Sequence, residues 1–140
     1  MKKAIKKVVT TVLTTGMLLS MSTFSVLAAG NYTDTYFYNF LIRENIKYTP
    51  TRQKLDATSA TVKLSKSPYG VVVRVYGSTY SEGAKNDCTY GTPKIVSVSS
   101  TYTYLPNLVY ERGYSWASLG FTRADVLNST ISGAWSPDSI

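Results

Sequence analysis

The sequence predicts an all-β fold, a small antiparallel β-sandwich of roughly six or seven strands, with a closed β-barrel as the runner-up. Three observations carry that expectation. Beyond residue 28, apolar residues alternate with period two, and no segment shows the three-to-four spacing of a helical stripe. Gly, Pro, Asn, Asp and Ser supply turn chemistry about every ten residues. The stretches between turns are rich in Thr, Val, Tyr and Ser, which suit a pleated, half-buried surface.

The first strand is TYFYNFLI, Thr35 to Ile42, where unbroken alternation would put Tyr36, Tyr38, Phe40 and Ile42 on one inward face. IRENIKY follows and is long enough for one helical turn at most. ATSATVKL, Ala57 to Leu64, groups Ala60, Val62 and Leu64 against Ser59, Thr61 and Lys63. SPYG then turns the chain into VVVRVYGS, Val71 to Ser78. There the valines at 71, 73 and 75 point inward, while Arg74 and Tyr76 share the outer face. The short connection makes these two strands read as a hairpin.

A polar loop leads to two short strands, Lys94–Val98 and Ser100–Leu105. YSWASLGFT, Tyr114 to Thr122, alternates Ala117, Leu119 and Phe121 inward. In VLNSTISGAW, Val126 to Trp135, the residues Leu127, Ile131 and Trp135 fall at one parity, with Gly133 on the same face where a large ring or another backbone needs room. Trp116, Phe121, Ile131 and Trp135 are therefore the expected structural anchors. Pro137 lacks an N–H and should end the pairing. Asp138 would keep the end in water, so removal of Pro137 to Ile140 should cost little.

The amino terminus has the grammar of a secretory signal. Lys2, Lys3, Lys6 and Lys7 precede an uncharged run from Val8 to Leu27, and Val26-Leu27-Ala28 fits a signal peptidase. Residues 1–28 are expected to leave by cleavage after Ala28, or after Ala29, and residues 29–140 to form a single β-sandwich domain. The secreted product would have no stable membrane anchor. The net charge falls from +7 to +3, because the leader removes four of 15 basic residues and none of 8 acidic ones. That small excess suits an anionic envelope polymer or lipid, or another extracellular protein, and does not suggest nucleic acid. Arg43, Lys47, Arg52 and Lys54 form the densest basic group, which reads as a solvated loop.

The chemistry is bounded by an absence: the chain contains no histidine. Ser-His-Asp and Cys-His catalysis and imidazole metal sites are thereby removed. A single cysteine allows no internal disulfide and no thiolate cluster. Cys88, between Asp87 and Thr89, reads as a small filler in a loop, so that Cys88→Ser should shift stability by no more than roughly 0.5 kcal/mol. GYSWA around Ser115 lacks the final glycine of a nucleophile elbow. No enzyme, cofactor or metal is expected.

Tyrosine is the positive anomaly, with twelve residues, all beyond the leader. A small core cannot hold so many hydroxyls, so some rings must face water. Tyr36, Tyr38, Tyr76, Tyr102 and Tyr104 fall on predicted strands, where aligned rings can stack on sugars or on a protein. Tyr76 with Arg74 is the expected exposed binding platform, since both lie opposite the valines.

Through RQKLDATSATVKL leading into VVVRVYGS, and through YSWASLGFT followed by ISGAWSPDSI, the chain resembles a loose class of small exported β proteins of Gram-positive bacteria. That class has a general likeness to lactococcin-type bacteriocins. The resemblance covers most of residues 35–140 and implies a secreted β-sandwich acting at the cell envelope. The chain departs from those bacteriocins in being longer and in lacking their histidines. A secreted, non-catalytic binding protein is the expected function, and a bacteriocin-like antibacterial protein the alternative.

Overall fold

A computed structural model describes residues 30–140. The expected leader and its cleavage site after Ala28 lie outside the described residues. Ten strands follow one another: β1 (Thr35–Ile42), β2 (Lys47–Tyr48), β3 (Arg52–Gln53), β4 (Ala60–Lys66), β5 (Val71–Ser78), β6 (Asn86–Asp87), β7 (Lys94–Val96), β8 (Thr103–Leu105), β9 (Trp116–Arg123) and β10 (Ser129–Ser136). They form two antiparallel sheets and not a closed barrel. One has the order β1-β10-β4-β8; in the other β9 and β5 are central, with β2 and β3 on the β9 side and β6 and β7 on the β5 side. Seven of these strands match predicted segments. The other three, β2, β3 and β6, are two residues long and carry no periodic signal.

The inner faces interlock as the alternation requires. Val62, Leu64, Leu105, Ile131 and Trp135 from the first sheet meet Val71, Val73, Val75, Ala117, Leu119 and Phe121 from the second. The Phe37 and Phe121 rings cross between the sheets at a centroid distance of 5.3 Å. Trp135 is 1% exposed and belongs to this core. A Cβ on Gly133 would stand 2.3 Å from the Lys63 carbonyl oxygen and 3.0 Å from Phe37. The glycine thus admits both the neighbouring backbone and a ring.

Three expectations about register and topology are corrected. In β1, Phe37 pairs with Gly133 but Phe40 pairs with Ile131, so β1 contains one residue more than its partner. Asn39 absorbs that bulge at φ 51° and donates its N–H to Ser132 Oγ at 3.0 Å. The extra residue reverses the parity: Phe37 and Ile42 point inward, while Tyr36 and Tyr38 are 64% and 68% exposed. The predicted β4–β5 hairpin is instead a crossover, since the two strands lie in different sheets. Leu127 precedes β10 and is exposed, so it does not share the Ile131–Trp135 face.

Candidate functional site

The outer face of the β1-β10-β4-β8 sheet gathers most of the strand tyrosines. Tyr36 stands opposite Ala134, and Ala134 opposite Lys63. Lys63 reaches toward β8, where its Nζ lies 4.5 Å from the centre of the Tyr102 ring. A second row runs Ser136–Thr61–Tyr104. The second row has small side chains on both central strands, and the first sets Ala134 beside Lys63. The tyrosines occupy the outer strands, Tyr36 and Tyr38 on β1 and Tyr104 on β8, with Tyr102 immediately before β8. Alternation alone aims these side chains the same way once the Asn39 bulge has set the parity of β1.

The result is a trough with a hydroxyl and methyl floor and aromatic walls. Tyr36 and Tyr38 stack, with centroids 6.4 Å apart and planes inclined by 13°. Ser136 Oγ donates to the Asp138 carbonyl oxygen at 2.7 Å. That uses its only proton, so Thr61 Oγ1 is the donor in the 2.8 Å contact with Ser136 Oγ. Tyr102 donates its hydroxyl to Asp34 Oδ2. This hydrogen bond, with burial and the carboxylate charge, pushes the Tyr102 pKa up to about 12. One end of the trough is a cleft of 210 Å³ bordered by Tyr32, Asp34, Tyr102, Tyr104 and Ile140. An enclosing ligand pocket takes about 300 Å³ or more, so a ligand here lies across the surface and is not engulfed.

The cleft's two carboxylates are already engaged. Asp34 receives Tyr102. Asp138 is fully buried, and its Oδ1 lies 2.6 Å from Nζ of Lys54, also buried. Lys54 Nζ further donates to the carbonyl oxygens of Pro137, at 2.8 Å, and Thr58. Asp138 Oδ2 accepts the N–H groups of Asn31 at 2.6 Å and Leu55 at 3.1 Å. Every proton of the ammonium and both carboxylate oxygens therefore have partners, as a buried pair requires. Arg52 extends this clasp through Asn31 Oδ1 at 2.8 Å and the Trp135 carbonyl oxygen at 3.3 Å.

The clasp corrects two expectations. Asp138 does not hold the chain end in water, and Lys54 and Arg52 are not part of a solvated basic loop. Eighty-four positions separate Lys54 from Asp138, and no local pattern connects them.

The predicted platform at Tyr76 and Arg74 is also corrected. Both do lie opposite the valines, but on the other sheet from the trough, and Tyr76 is only 6% exposed. Its ring meets Tyr48 edge-on at 5.0 Å. A Cβ on Gly120 would lie 2.5 Å from it, so the glycine makes the seat. Burial first, then the proximity of Tyr48 and Asp87, pushes the Tyr76 pKa up to about 12. Arg74 is half-buried, with Nε 3.6 Å from Asp87 Oδ2. Phe121 and Ile131 are wholly buried and Trp116 is half-buried. Cys88 lies just after β6, outside any strand, but its side chain is buried in the core, with Arg112 Nη1 3.9 Å from its sulfur.

Among the described residues no group of three or more Cys, Asp or Glu side chains is placed to hold a metal ion. The molecule is thus defined as an all-β protein of two antiparallel sheets with a tyrosine-walled trough on one outer face. Its family follows from its sequence: the chain belongs to the family described as "Protein of unknown function (DUF2712)", whose model matches residues 24–139. No curated protein and no solved structure matches it.

Proposed function

We propose that this is an exported, non-catalytic binding protein whose tyrosine trough holds a glycan polymer of the cell envelope. The observation that carries the reading is the gathering of Tyr36, Tyr38, Tyr102 and Tyr104 along the two edges of one sheet, above a floor of Ala134, Ser136 and Thr61. Sugar rings present C–H faces that pack on aromatic rings, and their hydroxyls find partners in the phenols and in Lys63. An open trough suits a chain that passes through it. The engaged carboxylates favour binding over glycoside cleavage, which requires one carboxyl to give up a proton and another to act as base or nucleophile. The alternative, a bacteriocin-like antibacterial action, rests on the sequence resemblance alone, and no feature of the trough favours it.

Sedimentation of the purified protein with isolated cell-wall polymer tests the proposal. Tyr36→Ala combined with Tyr104→Ala should weaken retention about tenfold while leaving the melting transition in place. Equal retention of parent and variant would remove the trough as the binding face.

A further inference from the structure

We propose that the end of the sandwich bearing the β9–β10 connection, which crosses from one sheet to the other, docks on an anionic lipid bilayer surface, independently of the tyrosine trough. On this connection Val126 is 75% exposed and Leu127 46%. The neighbouring strands and turns bring further exposed apolar side chains to the same end. Leu41 lies opposite Thr130. Tyr69 is tied there by its carbonyl oxygen, which accepts from Ser129 Oγ at 3.4 Å. A single exposed apolar residue is ordinary on a protein surface, whereas three aliphatic side chains and a tyrosine ring at one end of a sandwich mark an interaction site.

The cations around these side chains identify the partner. Arg43 and Arg123 meet where the Arg123 N–H donates to the Arg43 carbonyl oxygen at 3.3 Å. Arg123 Nη1 also holds the Val126 carbonyl oxygen at 3.0 Å, which fixes the apolar tip beside a guanidinium. Lys66 pairs with Ser132 on β10, the strand that leaves the connection. Of the nearby acids, Glu44 lies 3.8 Å from Arg123, and Asp125 accepts the Val126 N–H at 2.7 Å. Arg43, Lys66 and Arg123 thus outnumber them. Aliphatic side chains that enter the acyl boundary while Arg and Lys reach lipid phosphates are the two components of interfacial membrane binding.

Sedimentation with vesicles of mixed phosphatidylglycerol and phosphatidylcholine, set against phosphatidylcholine alone, tests the inference on protein purified from its producing cells. The parent should bind the anionic vesicles, less strongly as salt rises. Val126→Asp with Leu127→Asp should reduce binding at least about tenfold, and Arg43→Glu with Lys66→Glu should reduce it on anionic vesicles. In Val126→Trp, the added indole emission should shift to the blue when anionic vesicles are mixed in. This reports on the tip even if the double aspartate variant fails to fold. Vesicle binding unchanged by the aspartates, or an unshifted indole, overturns the inference. Tyr36→Ala with Tyr104→Ala should bind vesicles like the parent, so failure of the glycan reading leaves this one standing; lost vesicle binding in that variant would overturn the claim of a separate site.

Discussion

Lys54 Nζ and Asp138 Oδ1 lie 2.6 Å apart, with neither side chain exposed to solvent. Each is the other's nearest opposite charge, with Asp56 Oδ1 farther from the ammonium at 3.9 Å. Removing one partner takes away the closest opposite charge of a buried group, so Asp138→Ala and Lys54→Ala should each cost about 3–5 kcal/mol in chemical denaturation. Deleting Pro137 to Ile140 should cost as much, because it removes the same carboxylate. Lys54→Met combined with Asp138→Leu should recover much of the loss, since a buried pair is often worth little more than apolar residues of similar volume. A deletion that melts like the parent would show the clasp to be dispensable.

Trp135 and Gly133 shape the inner side of β10 in opposite ways, one by bulk and the other by the lack of it. Trp135→Ala empties the largest fully buried side-chain volume and should cost about 3–5 kcal/mol. Gly133→Ala must force a methyl group against the Lys63 carbonyl, a backbone atom that cannot swing aside. Strand separation or a local shift should cost about 1–3 kcal/mol. Thermal melts of both variants measure this, and an unchanged melt for Gly133→Ala would contradict the close approach of β10 to β4.

Alkaline titration should separate two tyrosines from the rest. Tyr76 and Tyr102 are held neutral to about 12, against 10.0 for the free side chain. Unfolding lowers both pKa values, so the stabilisation is complete below about pH 10 and is lost as the pH rises toward 12. Tyrosinate absorbance should show a late phase that shrinks in Tyr76→Phe and again in Tyr102→Phe. Abolition of the Tyr102 part by Asp34→Asn would assign its cause.

Cys88 should be inert to thiol reagents in the folded protein and react on unfolding. Burial pushes its pKa up, against the opposing pull of Arg112. The sequence expectation of a near-neutral Cys88→Ser changes accordingly. A hydroxyl in that core position should cost about 1–3 kcal/mol, and Cys88→Ala should be milder. Fast labelling of the native protein would contradict the burial.

Period-two alternation made the sandwich legible because both sheets bury one face and wet the other. The bounds of β1 and β5 coincide with those read from Thr35–Ile42 and Val71–Ser78. What alternation cannot register is a residue that leaves the count. Asn39 sits inside an otherwise regular strand, and its left-handed backbone moved Tyr36 and Tyr38 from the expected core to the trough wall. Nor does a local pattern say which sheet a strand joins, so Ser67–Gly70 read as a hairpin turn when it is a crossover. Tyr76 had the right face but the wrong exposure, because Tyr48 covers it from a two-residue strand without periodicity. The same limit hid Lys54 and Asp138, whose meeting is a property of the assembled sheets.

Strand order also governs when the molecule can exist. β10 occupies an interior position between β1 and β4, although it is made after all of them. Thr35 must find Trp135, about a hundred residues further along, before β1 has its partner, and such distant pairings close slowly. A growing chain that has not yet released Ser129–Ser136 therefore has β1 without its neighbour and the core without its tryptophan.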